Sequence, residues 1–512
     1  MNKYLFFLGL YFISISSFGQ CFSDINGNRT EPVVSTFATY GNGKYKNEII
    51  WLNWGATNPS ATNGESKTLV ENDYSNAEIK INDNKFICVK TIIKSVNNLK
   101  SGDIDKNYSI MHNTYSNSAH DMKHLLTTIT SKTDSKIVLE SFAFVRTRTG
   151  IGQSYKDVPF KLKGLVFADA ESAASTEYFS LSANGEWNVI EFINNSGDKY
   201  DYKITKSFAN NIGTIKMGNG QDKKLAGIAM LRFNETAYGS ISDNYKVTYN
   251  GSFYGGGTTS ISIGILTPFA DFGDAPISYG APIHFIDKLE LVNDNLSLGV
   301  ETNIGRSTTF KSGALVKPIS NFIGSLGPDS NSKVVFSKYA TGDDNFEDGY
   351  DDAGNALPLS ITSKEEDGWP EKYKGFSYKT VNGSNYPIGS TIDAKIPVKT
   401  SKSSVLAGWI DFDLNGKFDD SERVYIEVDA NTDESKNLIW RVPSVRKPYS
   451  TYARLRLFDL TDVSTNGSID INKISPTSDV YSGEVEDHYI KIYPQAVSNP
   501  MILNASPSYS NK

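Results

Sequence analysis

Cysteine is almost missing from this chain: Cys21 and Cys88 are the two in 512 residues. A fold of that length cannot rest on a disulfide framework and has to rest on hydrophobic cores. The pair itself permits two readings, a single bridge that ties down the N-terminal end or a buried free thiol at Cys88. Excess positive charge is missing too, with 51 Lys and Arg against 58 Asp and Glu, a net charge of −7 and a pI near 5.5. Nucleic acid is not an expected partner of such a chain. Beyond the first nineteen residues, no apolar run approaches the ~20 residues of a spanning helix, so the mature chain is not expected to insert into a membrane. There is no Gly-x-Ser-x-Gly elbow, neither cysteine has a credible histidine partner, and Gly255-Gly256-Gly257 has no Lys placed to reach a phosphate. Each absence lowers the case for an enzyme, and no residue is assigned a catalytic or cofactor-binding role.

At the N-terminal end, Lys3 precedes an apolar run over 4–15 and a Ser17-Phe18-Gly19 tail, the pattern of a secretory signal peptide over residues 1–19. Removing it takes away Lys3 and leaves a net charge of −8. Cys21 lies just past the expected cleavage point, but Gln20 stands where lipid attachment wants a small residue. A secreted or cell-surface location follows.

Gly, Tyr and Phe are abundant, at 41, 28 and 27 residues, and few runs carry helical spacing. Short β-branched and aromatic segments recur between turn residues at 47–54, 85–94, 136–148, 159–167, 199–206, 245–253 and 260–266. The expected fold is all-β, two consecutive β-sandwiches with a boundary near Pro268 and a polar tail over 494–512.

The densest chemistry lies at 411–422: Asp411-Phe412-Asp413-Leu414-Asn415-Gly416-Lys417-Phe418-Asp419-Asp420-Ser421-Glu422. Oxygen ligands fall at loop positions one, three, five and nine (Asp411, Asp413, Asn415, Asp419), a backbone carbonyl at seven (Lys417) and a bidentate carboxylate at twelve (Glu422). Gly416 supplies the sharp turn at position six. The spacing predicts Ca2+ held between two strands, Trp409-Ile410 entering and residues 423–428 leaving. The plainer alternative is an acidic turn, since Asp, Asn and Gly suit turns for their own reasons. Asp343, Asp344, Glu347 and Asp351 form a looser second cluster, equally readable as a solvated acidic loop.

Three other sets each carry a functional reading and a plainer one. Asp169 and Glu171, two apart, offer the carboxylate pair of a glycoside hydrolase or simply the end of a strand. His112, His120 and His124 suggest zinc, but a zincin helix needs Glu where this chain has Asp121, so a solvated loop is preferred. Trp51, Trp54 and Trp187 can stack on sugar faces or pack in a core.

Several motifs in the second half resemble the GEVED domain of bacterial surface proteins over about 271–493. They are Asp271-Phe272-Gly273-Asp274-Ala275-Pro276, the acidic stretch 342–352, Gly408-Trp409-Ile410-Asp411-Phe412-Asp413, Thr451-Tyr452-Ala453-Arg454-Leu455-Arg456-Leu457 and Gly483-Glu484-Val485-Glu486-Asp487-His488-Tyr489. The family pattern usually ends in Asp-Tyr, and His488 here intervenes. In the first half, Thr36-Phe37-Ala38-Thr39-Tyr40-Gly41, Ile49-Ile50-Trp51-Leu52-Asn53-Trp54, 164–171 and Asn184-Gly185-Glu186-Trp187 are similar to the lectin-like non-repetitive domain of CshA-type fibrillar adhesins, over roughly 34–268. These resemblances imply an adhesin that binds an extracellular matrix protein or surface glycan through its first sandwich, with a non-catalytic accessory sandwich after it. The alternatives are a carbohydrate-binding protein that supports polysaccharide use and a glycoside hydrolase.

Overall fold

The structure, a computed structural model, describes residues 67–266 apart from 103–114, 116–124, 131, 149–154, 170–175, 195–201, 219–226 and 256–258, and 391–492 apart from 443–448. It also describes segments of 21–54 and 269–340, and 367–370. The signal peptide, the three histidines, Glu171, the acidic stretch 342–352 and the polar tail lie outside the described residues. The chain forms two compact units, 1–267 with 294–311 and 268–293 with 312–512. Both are all-β, and the helices among the described residues are single 3-10 turns.

The first unit is a sandwich of an eight-stranded and a nine-stranded antiparallel sheet. In the larger sheet, strand Tyr178–Asn184 lies between Ile212–Gly218 and Val247–Tyr254. Its burial alternates residue by residue, so Phe179, Leu181 and Ala183 point inward while Ser180 and Ser182 are half-exposed. From the other sheet, Phe167 on strand Gly164–Asp169 meets Phe179 edge-on at 6.0 Å and Phe253 at 6.1 Å, which locks the layers together. Strands Gly164–Asp169 and Ser260–Leu266 are buried along their whole length, on both faces. Part of that second cover is Tyr115, whose carbonyl accepts the Trp51 indole N–H (3.2 Å) and whose hydroxyl donates to Glu191 (2.6 Å). The apolar segment read at 159–167 is two strands, Tyr155–Phe160 and Gly164–Asp169, broken at Lys161 to Lys163.

Cys21 and Cys88 are joined in a disulfide, which decides between the two readings of the pair. Cys21 is fixed on both sides as well: its N–H donates to Glu78 (2.8 Å) and its carbonyl accepts Arg146 Nη1 (2.6 Å). The bridge sits among Phe22, Phe86 and Phe144 in a small core of its own.

In the second unit a four-stranded sheet has the order Val424–Val428, Ser404–Ile410, Tyr449–Asp459, Glu484–Ile492. One face packs on the sheet of Phe322–Ile323, Thr391–Lys399 and Asp433–Arg441 around Ile392, Ile396, Trp440, Leu406, Leu455 and Ile490. The other face is covered by the 275–279 and 463–480 segments through Tyr279, Phe418, Trp409, Phe458 and Ile474. That double cover explains why all seven residues of Ser404–Ile410 are buried.

Candidate metal centre

The 411–422 loop connects two adjacent antiparallel strands, Ser404–Ile410 and Val424–Val428. Its start is pinned before any ligand is considered. The Thr451 hydroxyl donates to the Asp411 carbonyl (2.5 Å), and the Tyr449 hydroxyl donates to the Phe412 carbonyl (3.1 Å). The chain then curls tightly, with Leu414 and Gly416 at φ of 61° and 78°. Gly416 meets that demand without the cost a Cβ imposes in the left-handed region. The loop ends in a single 3-10 turn, Asp420–Glu422, with a reciprocal capping box between Asp419 and Glu422.

Inside this curl, ligand oxygens of Asp411, Asp413 and Glu422 lie within 4.8 Å of one another, with Asp411 and Glu422 buried and Asp413 exposed. Asp411 accepts from the Asn415 and Gly416 amides (3.2 and 3.1 Å) and from the Tyr279 hydroxyl (2.6 Å). Glu422 accepts from the Phe412 amide (2.7 Å) and the Asp419 amide (3.1 Å). Asn415 Nδ2 donates to Asp413 (3.1 Å) and Asp419 (2.7 Å), and Asn415 Oδ1 accepts the Lys417 amide (2.9 Å).

The electrostatics show what such crowding does. Burial pushes the Glu422 pKa up, and the neighbouring Asp411 and Asp413 add to the rise against two backbone hydrogen bonds that oppose it. Burial, then Asp411 and Glu422, push Tyr449 up to about 12, and burial followed by Asp411 pushes Tyr279 further still. An all-oxygen donor set with clustered negative charge suits a hard cation such as Ca2+. The spacing rule thus brings Asp411, Asp413 and Glu422 together, and ties Asn415, Lys417 and Asp419 into the same loop. Tyr279 and Thr451, from distant segments, carry no such sequence signal.

The other acidic residues of the unit do different work. Asp487 takes the fully buried Arg454 bidentately, at 2.7 and 2.6 Å, and also the Ala275 amide at 2.8 Å. Asp271 accepts the Val485 amide (2.7 Å), Glu486 accepts the Gly368 amide (3.1 Å), and Glu484 accepts the Ile323 amide. Arg454 spends its remaining donors on the Tyr279, Pro476 and Gly280 carbonyls, at 3.0, 2.8 and 3.3 Å. The second buried cation, Arg456, donates from Nε to His284 Nε2 (2.9 Å), so that nitrogen is unprotonated and Nδ1 donates to the Ser482 carbonyl (2.7 Å). These carboxylates close backbone donors that burial has cut off from water, a structural role.

Residues 47–266 match the family model of the surface adhesin CshA non-repetitive domain 2, and residues 405–491 match that of the GEVED domain. The chain carries both domains. No curated protein matches the chain. The GEVED match begins at residue 405, yet Asp271 and Ala275 are hydrogen-bonded to its final strand at Val485 and Asp487. In the CshA-type unit, Trp51, Trp54 and Trp187 are 0%, 0% and 1% exposed, so all three are core residues rather than sugar platforms. Asp169 is likewise 0% exposed, at the end of its strand.

Proposed function

We propose that this chain is a secreted or cell-surface adhesin whose CshA-type unit binds an extracellular matrix protein or a surface glycan. The observation that carries the reading is the adhesin-family match over 47–266, laid on a two-sheet sandwich with inward aromatic packing. The GEVED unit is the accessory module, stabilised by Ca2+ through Asp411, Asp413, Asn415, Asp419, Glu422 and the Lys417 carbonyl. What supports calcium is the convergence of the three carboxylates and the upward push on Glu422 that their mutual repulsion adds to burial. When bound, the cation would neutralise that repulsion; the loop's own amides and the Tyr279 hydroxyl orient the carboxylates. A carboxylate pair at Asp169 and Glu171 gains no support, because Asp169 is wholly buried.

The test is retention of the whole chain on immobilised matrix proteins and glycans, with and without chelator. Saturable binding that survives Asp169→Asn combined with Glu171→Gln supports adhesion. New reducing ends released from polysaccharides, and lost in that double variant, would replace it with a hydrolase.

A further inference from the structure

We propose that a pocket on the CshA-type unit, lined by Asn184, Gly185, Glu186, Phe208, Asn211, Asn234 and Thr236, is a binding site for a neutral saccharide. The assignment deepens the adhesive reading and rests on it. The pocket holds about 590 Å³, within the roughly 300–1,000 Å³ typical of small-molecule sites.

Three separate pieces of chain build it. Strand Tyr178–Asn184 ends there and continues into Gly185 and Glu186. Strands Tyr202–Ala209 and Ile212–Gly218 meet in a two-residue turn whose Asn210 and Asn211 both have positive φ, 53° and 62°. That is the geometry of a type I′ hairpin, which Asn tolerates well. The third piece is Asn234, which caps the 3-10 turn Glu235–Ala237 by accepting from the Thr236 amide (3.1 Å) and hydroxyl (2.9 Å).

These pieces are bound to one another, so the pocket is preformed. The Gly185 amide donates to the Asn211 carbonyl (2.7 Å). Gly185 sits at φ 82°, and a Cβ there would lie 2.4 Å from both Asn234 Cβ and Thr236 Oγ1, so only glycine lets the walls approach.

The lining chemistry selects the ligand. Asn184 and Asn211 bring carboxamides that can donate and accept, and because the Thr236 hydroxyl donates to Asn234 Oδ1, Asn234 is left to donate and Thr236 to accept, a mixture that a ring of sugar hydroxyls demands. The 40% exposed ring of Phe208 adds an apolar face for sugar C–H groups. The one charged side chain of the lining, Glu186, is already paired with Lys206 at 2.8 Å. No uncompensated charge is offered to an anion or a cation, and Phe208 alone offers little to an apolar peptide side chain.

The experiment uses the whole chain on a panel of neoglycoconjugates bearing neutral mono- and disaccharides of mannose, galactose, glucose and N-acetylglucosamine. Sialylated conjugates and immobilised matrix proteins serve as separate arms. Binding to a neutral conjugate is expected, competed by the free sugar. Phe208→Ala should weaken it about tenfold. Asn211→Gly, which keeps the positive φ and deletes the amide, should weaken it about threefold or more. Both melting curves should match the wild type. Neutral-glycan binding undiminished in both variants, or binding confined to sialylated conjugates, overturns the assignment. Binding to matrix protein alone, unaffected by the two variants, overturns the pocket and leaves the adhesin standing. A chain that binds nothing in any arm removes both.

Discussion

Replacing Asp487 with Ala is the sharpest probe of the GEVED unit. Its carboxylate takes two charge-assisted bonds from Arg454 and one from the Ala275 amide, and both members of the ion pair are 0% exposed. Removing it strands a guanidinium that cannot deprotonate and cannot reach water. Breaking a buried pair in this way costs about 3–5 kcal/mol. For a unit of this size, with roughly 2–4 °C lost per kcal/mol, the melting temperature should fall by about 6–20 °C. Arg454→Met combined with Asp487→Leu should not restore it fully, because Arg454 also satisfies the Tyr279 and Pro476 carbonyls. Calorimetry on the whole chain reads the effect, with the two units told apart by reductant, which acts through the Cys21–Cys88 bridge on the CshA-type unit alone. A loss below about 1 kcal/mol would refute the reasoning, since it would mean that water reaches the pair.

Chelation should lower the GEVED transition by about 2.7 kcal/mol relative to Ca2+ at a hundredfold excess over Kd, and Asp411→Ala or Glu422→Ala should abolish the difference. Superimposable melts with and without chelator would sink the calcium reading. Cys88→Ser opens a loop whose ends are 67 residues apart and should cost the CshA-type unit about 4 kcal/mol in denaturant unfolding. An unchanged midpoint would contradict this. His284 is held well below its usual pKa by burial first and then by Arg456, with Arg454 adding to the effect and Asp271 its cross-strand partner. Below about pH 6.5 the unfolded chain takes up a proton that the folded one refuses, so His284 draws stability down by up to about 1.4 kcal/mol per pH unit. Asp462, raised to about 6 by burial, pushes the other way as the pH falls, so the His284 contribution is read as the difference in slope from His284→Gln. Equal slopes would disprove it.

The two sites differ in how far the sequence announces them. The 411–422 loop is legible because its candidate oxygens all fall within one twelve-residue segment, so chain spacing alone sets their positions. The all-β class and several strands of the CshA-type unit are legible from β-branched and aromatic runs between turn residues, while the break at Lys161 to Lys163 is hidden inside one such run. The clamp on Arg454 is not legible as a clamp, because Tyr279 is 175 residues away and the Ala275–Asp487 bond spans 212. The pocket asparagines come from three segments, and their faint traces are an Asn210-Asn211 turn and an Asn184-Gly185 step. The tryptophans stay open in the sequence for the opposite reason: a residue suited to sugar stacking is equally suited to a core, and burial decides for the core.

On the proposed adhesin reading, tension that enters the CshA-type unit at Cys21 meets the Cys21–Cys88 bridge first. Load arriving at Cys21 crosses the sulfur atoms directly into strand Lys85–Asn97, which lies between the edge strand Tyr74–Asn82 and strand Asp134–Arg148 of the larger sheet. The chain between the two cysteines, whose ends are 67 positions apart, is bypassed and cannot be drawn out as slack. At ~3.4 Å per residue it would otherwise add about 230 Å of extension. Under such a pull the covalent link keeps the tether short while the chain outside it yields first.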